Sequence, residues 1–341
     1  MAAKLKDIAQ KLNLSISTVS YALNGGPRTV SAEVKDRVMV AARELEYRPN
    51  RVARSLMTGR SYTVGVVPTE AYINLALTPY FASSLNGIIN SAEETGNDVL
   101  IFTRFDQSNV DRFADTLLDG RVDGLIFLAP LLQSPIFDIV DGNGIPYVVT
   151  SSPTGGRAVC FAVDNGEGVD IALNHLTSLG HTKIGHITGS QRVSDGVVRA
   201  DAFENYVCRH QLDARADWIF DGDFTPSGGY QAGLKLLSMQ DRPSAVFCSN
   251  DEMAAGFVRA CYELNVRVPE EMSLVGFDDA PICQSLFPQL TTIRQPLEEM
   301  GAAAYRALIS LVEGEGVSSS RLFPTQLIKR NSTTRPKEDN S

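Results

Sequence analysis

The sequence predicts an N-terminal all-α helix-turn-helix head followed by an α/β body of two doubly wound parallel-sheet lobes. Three observations predict it. The chain has 341 residues, 43% hydrophobic and 21% charged, enough for more than one compact unit. Its first fifty residues read as short helices with start and stop signals. From Tyr62 onward, short apolar β-type runs alternate with amphipathic helical segments, the pattern of parallel sheets covered by helices.

Charge divides the chain at the same place. Residues 1–60 hold 11 Lys+Arg against 5 Asp+Glu, a net +6, and the rest stands at −15. A basic head on an acidic body suggests that the head meets a polyanion, with a solvated basic surface as the alternative. No apolar run approaches the roughly 20 residues of a membrane span. MAAKLKDIAQ has no apolar signal core, so export is not expected and a cytoplasmic location is. The five cysteines are scattered, with no Cys-x-x-Cys, and Cys160, Cys248 and Cys261 lie in apolar surroundings that suit buried thiols in a reducing compartment.

Within the head, KDIAQKLNL places Ile8, Ala9, Leu12 and Leu14 near helical spacing, with Asp7 in the first turn. Ser15 is a good cap for a second short helix, which Asn24-Gly25-Gly26-Pro27 stops. A third helix follows Ser31, with Val34, Val38, Ala41, Ala42 and Leu45 as its apolar stripe. Two short helices and a third packed across them is the helix-turn-helix plan. In the second helix Val19, Ala22 and Leu23 turn inward, and Ile16, Ser17, Thr18, Ser20 and Tyr21 form the other face. Such hydroxyls hydrogen-bond base edges or phosphates, and an apolar tip sits on a thymine methyl. An ordinary serine-capped surface helix would look similar.

LKDIAQKLNLSISTVSYALNG and VSAEVKDRVMVAARELEYRPNRVARSL resemble the DNA-binding head of the lactose-repressor (LacI/GalR) family of bacterial transcription regulators. Thr18-Val19-Ser20 and the Tyr47, Pro49, Asn50, Ala53, Leu56 spacing carry the likeness, which continues to about residue 332. The resemblance implies DNA contacts from Ser15, Ile16, Ser17, Thr18, Ser20, Tyr21, Asn24, Asn50, Ala53, Arg54 and Leu56. Many members carry a basic residue where Tyr21 stands, so the base preference should differ. Residues 50–61, too few to make a stable helix alone, would be a hinge that orders on specific DNA and wedges Leu56 into the minor groove. A plain flexible linker is the alternative.

In the body, strands are expected at 63–67, 98–102, 124–128, 146–150, 183–188, 244–249 and 273–277, and helices at 81–96 and 169–180. So many strands suit two similar lobes better than one sheet. The resemblance implies that the lobes are periplasmic-binding-protein-like, with three chain crossings near 161–164, 288–293 and 320–326. The expected organisation is therefore head 1–49, hinge 50–61 and body 62–328. The N-lobe takes about 62–161 plus 293–320, the C-lobe about 164–288 plus 326–332, and 333–341 is a disordered tail.

No catalytic motif stands out: there is no Gly-x-Ser-x-Gly, no P-loop, and the four histidines lack metal-ligand spacing. No enzyme activity, cofactor or metal is expected. Polar residues instead gather at strand ends, where open α/β folds bind ligands, although each Asp there could simply cap a helix. The resemblance implies that Arg199, Asn250, Asp278 and Gln295 contact an effector, with Phe224 as an aromatic platform and Tyr80 and Phe81 facing them from the N-lobe. Ser151 stands where members often carry Asp. A guanidinium, two carboxamides and a carboxylate around aromatic rings suit a sugar, or alternatively a purine nucleoside.

The expectation is therefore a sugar-responsive repressor of a palindromic DNA operator. A regulator answering a protein partner, an exported solute-binding protein and a sugar-processing enzyme are the rivals. Two heads on a palindrome require a homodimer. The helix at 81–96, with Leu85, Ile88 and Ile89, and the apolar C-lobe surface are its expected contacts. KRNSTTRPKEDNS has no leucine to build a tetramer coiled coil.

Overall fold

The computed structural model describes residues 3–24, 29–47, 55, 59–68, 78–103, 109–151, 158–316 and 319–337. Two compact units meet at Tyr62/Thr63.

The first unit contains α1 (Leu5–Leu12), α2 (Ile16–Asn24) and α3 (Ala32–Glu44). Asn13, in the left-handed region at φ 52°, closes α1. Ser15 Oγ accepts from the Thr18 backbone N–H at 3.0 Å and starts α2. Ser31 starts α3 in the same way. Ile8, Val19 and Val38, all fully buried, meet at the centre with Ala22 and Ala41. Ser20 departs from expectation. It is 2% exposed, because a helical turn that buries Val19 and Ala22 carries position 20 inward as well.

The second unit holds two six-stranded sheets among the described residues. The N-lobe begins with β1 (Thr63–Pro68), α4 (Pro79–Thr95), β2 (Asp98–Ile101), α5 (Val110–Leu117) and β3 (Gly124–Leu128). It continues through α6 (Ile136–Asn143), β4 (Tyr147–Thr150) and β5 (Val159–Val163). The C-lobe follows with α7 (Asn165–Ser178), β6 (Ile184–Thr188), α8 (Ser194–His210), β7 (Ile219–Asp221) and α9 (Pro226–Leu237). Its remaining elements are β8 (Ala245–Cys248), α10 (Asp251–Glu263), β9 (Ser273–Asp278), α11 (Ile282–Ser285) and β10 (Thr291–Arg294). Then α12 (Leu297–Val312) and β11 (Arg321–Phe323) return to the N-lobe, and β12 (Gln326–Ile328) to the C-lobe.

The sheet orders are β11-β5-β4-β3-β1-β2 and β12-β10-β9-β8-β6-β7. Every pairing is parallel except β10 with β12. The central strands read as continuous apolar runs because both faces are covered. In β3, Leu125 and Phe127 join Phe113, Leu117 and Val140 on one face, while Ile126 and Leu128 join Ile88, Tyr305 and Leu308 on the other. Helix α4 crosses α12 at close range. A Cβ on Gly87 would overlap the Glu298 carbonyl, and one on Gly301 the Ser84 carbonyl. Gly229 and Gly256 make the same close approach between α9 and α10.

Three features differ from the expectation. The middle crossing lies at 295–296 rather than 288–293, because Thr291–Arg294 pairs in parallel with β9 and so belongs to the C-lobe. Ile88 is fully buried in the N-lobe core, leaving Ile89, at 42% exposure, as the outward residue of α4. The tail from 333 is ordered through 337. The Leu274 N–H donates to the Ser332 carbonyl, the Ser332 hydroxyl donates to the Leu274 carbonyl, and the Thr334 carbonyl accepts from His181 Nε2 at 2.8 Å and Ser273 Oγ at 3.1 Å. A buried imidazole needs such partners, and the tail supplies one. Residues 338–341 lie outside the described set.

Candidate functional site

On α2, Ile16 is 54% exposed, Ser17 is exposed, and Thr18 and Tyr21 are partly exposed. Ser15 Oγ and Thr18 Oγ1 lie 2.8 Å apart, so these two hydroxyls also hold one another. The side chain of Asn24 and all of Asn50, Ala53, Arg54 and Leu56 lie outside the described residues.

In the body, the strand ends bring together residues far apart in the sequence. Thr78, Tyr80, Ala129, Asp195, Arg199, Phe224, Asn250 and Asp278 enclose a cavity of about 30 Å³ between the lobes. That is room for a few waters at most. Tyr80 and Asp278 also stand in the wall of a groove of about 390 Å³ that includes Ser83, Arg294, Gln295 and Leu297.

Arg199 is the centre of the cluster and is 2% exposed. Its Nε donates to Asn165 Oδ1 at 2.7 Å, and its Nη1 donates to the Ser249 carbonyl at 2.6 Å. The same Nη1 lies 3.8 Å from Asp278 Oδ1. Gln295 Nε2 donates to that Asp278 oxygen at 2.5 Å. Asp278 and Asp279 have φ 117° and 61°, backbone conformations that L-residues rarely adopt. Each costs on the order of 1–3 kcal/mol, and such strain gathers where a loop is held for a purpose. Asn250 caps α10 through the Met253 N–H and donates to the Phe224 carbonyl at 3.1 Å. The Phe224 ring lies so close over Gly189 that a Cβ there would overlap it.

Burial raises the carboxyl pKa values here. Asp278 is raised by desolvation, with Arg199 and the Gln295 hydrogen bond opposing it. Behind it Asp251 accepts from Thr292 Oγ1 at 2.6 Å and the Ala280 N–H at 2.8 Å. It too is raised, first by desolvation and then by the Asp278 charge. Glu252 is pushed up to about 8, mainly by burial and then by the charges of Asp278 and Asp251.

Of the expected cleft residues, Tyr80, Arg199, Phe224, Asn250 and Asp278 line the cavity. Gln295 acts behind it, through Asp278. Phe81 does not reach it: it is 3% exposed, part of the N-lobe core, and meets the Tyr80 ring edge-on at 5.6 Å. Its helix turns it inward where Tyr80 points to the cleft. Ser151 is buried and donates to Asp195 Oδ2 at 3.1 Å. Asp195 and Asn165 were not expected. Asn165 Nδ2 donates to Asp195 Oδ1 at 2.8 Å, so one carboxamide joins Asp195 to Arg199. The signal was the i, i+4 spacing of Asp195 and Arg199, which puts both on one helix face. No cluster of three or more metal-ligating side chains occurs among the described residues. No described helix is long and apolar enough to cross a membrane.

A helix-turn-helix unit joined to a two-lobed ligand-binding fold defines the class of ligand-controlled, DNA-binding regulators. Residues 4–50 match the description "Bacterial regulatory proteins, lacI family", and residues 173–333 match "Periplasmic binding protein-like domain". The chain belongs to the LacI family. It is 32% identical to the ribose operon repressor of Escherichia coli K12, over 96% of this chain and 98% of that protein. It is 30% identical to the HTH-type transcriptional repressor PurR of Erwinia tasmaniensis, over 99% of each. It resembles the crystal structure of the lac repressor dimer bound to operator and an anti-inducer, with a TM-score of 0.86, 28% identity, and coverage of 98% of this chain and 100% of that one.

Proposed function

We propose that this chain is a cytoplasmic transcriptional repressor that binds a palindromic operator as a homodimer and is controlled by a sugar held between the two lobes of its body. One observation carries the reading: Arg199, Asn250, Asp278 and Phe224, on four different strand-end segments, converge on one interlobe cavity. Polar groups of this kind beside an aromatic face suit hydroxyl donors on a ring with apolar faces. The likeness to a ribose operon repressor favours a sugar. The net +6 head supplies the electrostatic part of DNA binding, and Ile16, Ser17, Thr18 and Tyr21 supply base contacts.

The cavity is too small for a sugar, so binding parts the lobes or holds them at a different angle. A ligand acts on DNA affinity only through its unequal affinity for the two arrangements. The homodimer places two heads about 34 Å apart on successive major grooves. Its contact includes the C-lobe face around Tyr262 and Phe287, which are 84% and 90% exposed and border a recess of about 690 Å³.

The test uses the full chain. Selection from a random DNA pool identifies the operator, and fluorescence anisotropy follows its release as sugars are added. The expected result is a palindromic site, an affinity falling about 10³-fold or more between low and moderate salt, and a shift with one sugar. A non-palindromic site, or an operator affinity that no sugar alters, overturns the corresponding part of the proposal.

A further inference from the structure

The lobes also touch away from the chain crossings. The crossings leave β5, β10 and β11, which lie with β12 at one edge of the two sheets. Toward the other edge, the turn after β3 reaches over to the loop between β6 and α8. There the Leu132 N–H donates to the Arg192 carbonyl at 2.8 Å, and Leu131 forms an antiparallel bridge with Val193. Leu131 belongs to the N-lobe, yet its half-buried side chain packs on the C-lobe core. Ala129 and Val193, from the two sides of this contact, both wall the interlobe cavity. The turn is strained at both ends, with φ 44° at Ala129 and 57° at Gln133. The loop that receives it is braced within the C-lobe. Gln191 Nε2 donates to the Gly189 carbonyl at 2.8 Å and the Gly196 carbonyl at 3.4 Å, and Arg192 lies 3.8 Å from Asp223.

We propose that residues 129–133 are a strap that latches the two lobes shut, and that breaking its bridge to Arg192 and Val193 is the step that admits a ligand to the cleft. The proposal rests on the cleft being the effector site. A tie placed across the sheets from the crossings has a long lever against hinge opening. It is also weak enough to release. One net hydrogen bond changes a population by roughly two- to tenfold. On release the Leu132 N–H and the Arg192 carbonyl pass to water, so no backbone polar group is left buried and unpaired. Ala129 and Gln133 are then free to leave the left-handed region, which favours opening. The strap thus sets how often the cleft stands open, and through that fraction the apparent affinity of whatever enters. Its hold is mainly a backbone one, so proline at position 132 removes it by removing the donor.

The experiment is iodoacetamide labelling of the full chain with no ligand added, read by mass spectrometry. The exposed Cys208 is replaced by Cys208→Ser. Ser151→Cys serves as the reporter, because Ser151 is 1% exposed and touches Asp195 of the other lobe, so a thiol there reacts when the lobes part. Leu132→Pro is expected to raise the reporter's labelling rate about fivefold or more, while Cys248 in the C-lobe core keeps its wild-type rate. An unchanged reporter rate overturns the proposal. If Cys248 also reacts faster, the proline has cost the fold, and Leu131→Ser decides instead. It keeps the backbone bond and strips the leucine from the C-lobe core, so a faster reporter supports the latch and an unchanged one overturns it. A second arm locks the strap with Leu131→Cys/Val193→Cys, since facing residues of an antiparallel bridge stand within the span of a disulfide. Fluorescence anisotropy then follows operator binding as D-ribose, D-glucose and D-galactose are added. The oxidised chain is expected to show no shift, and dithiothreitol to restore the wild-type shift. An oxidised chain that responds like wild type overturns the strap as the entry step. A wild type that answers none of the sugars counts against the sugar reading, and the labelling rates then decide the latch by themselves.

Discussion

The guanidinium carbon of Arg199 lies 3.8 Å from the centre of the Phe277 ring. A buried cation on an aromatic face gains about 2 kcal/mol, and the planar fork lets Arg199 stack while donating to Asn165 and Ser249. Lysine has no such geometry. Arg199→Lys is expected to lower stability by about 2–4 kcal/mol in urea unfolding and to abolish the effector response. An unchanged midpoint would show that the ion contributes nothing to the fold.

Helices α4 and α12 touch backbone to backbone at Gly87. Gly87→Ala places a methyl against the Glu298 carbonyl, and neither helix can yield without disturbing Ile88 and Leu308 beside it. The expected loss is about 1–3 kcal/mol or more by denaturant titration. Gly142→Ala, where a Cβ meets open space, serves as the control and should change stability by less than about 1 kcal/mol.

Glu252 keeps its proton to about pH 8 in the folded chain, whereas the unfolded chain releases it near 4.5. The stability this gives is complete below about pH 4.5 and is lost as pH rises through 8, at up to about 1.4 kcal/mol per unit. Glu252→Gln removes that dependence. Thermal melts across pH 5 to 8 should show the variant gaining about 2 kcal/mol or more on wild type as pH rises. Parallel curves would mean that Glu252 titrates normally.

Phe287 is a large apolar side chain almost wholly in water, beside Tyr262 and Pro288. If this face joins two chains, Phe287→Asp should weaken the dimer by about 2–4 kcal/mol. Light scattering at micromolar concentration should then fall from about twice the chain mass toward one. A variant that keeps the wild-type mass places the contact elsewhere.

Strands covered on both faces were legible because nothing but apolar side chains suits them: Gly124–Leu128 and Ser273–Asp278 fall within a residue of the reading. Edge strand β2 was read as well, but the short strands β5, β7, β10, β11 and β12 were not. Thr291–Arg294 carries two threonines and an arginine, and its place comes from pairing with β9 and from Thr292 reaching Asp251. Arg199, Asn250 and Asp278 could be named because motifs carry them. Asp195 was missed: its i, i+4 spacing to Arg199 is legible, but its partner Ser151 lies 44 positions away. Ser20 and Phe81 show the opposite limit. Spacing placed Ser20, and the resemblance placed Phe81, near the right surface, and about 100° of helix rotation per residue turned them inward.

The three passages of the chain between lobes also set an order of assembly. Strands β1 to β5 are complete by Val163, yet α12, which buries one face of that sheet, is not made until Val312, and edge strand β11 not until Phe323. Between them the whole C-lobe through β10 emerges from the ribosome. At about 5–20 residues per second, the first-made sheet waits on the order of ten seconds with Ile126, Val148 and Phe161 uncovered. The half-made chain is therefore a substrate for chaperones, and a message truncated before codon 297 yields a sticky fragment rather than a free-standing lobe.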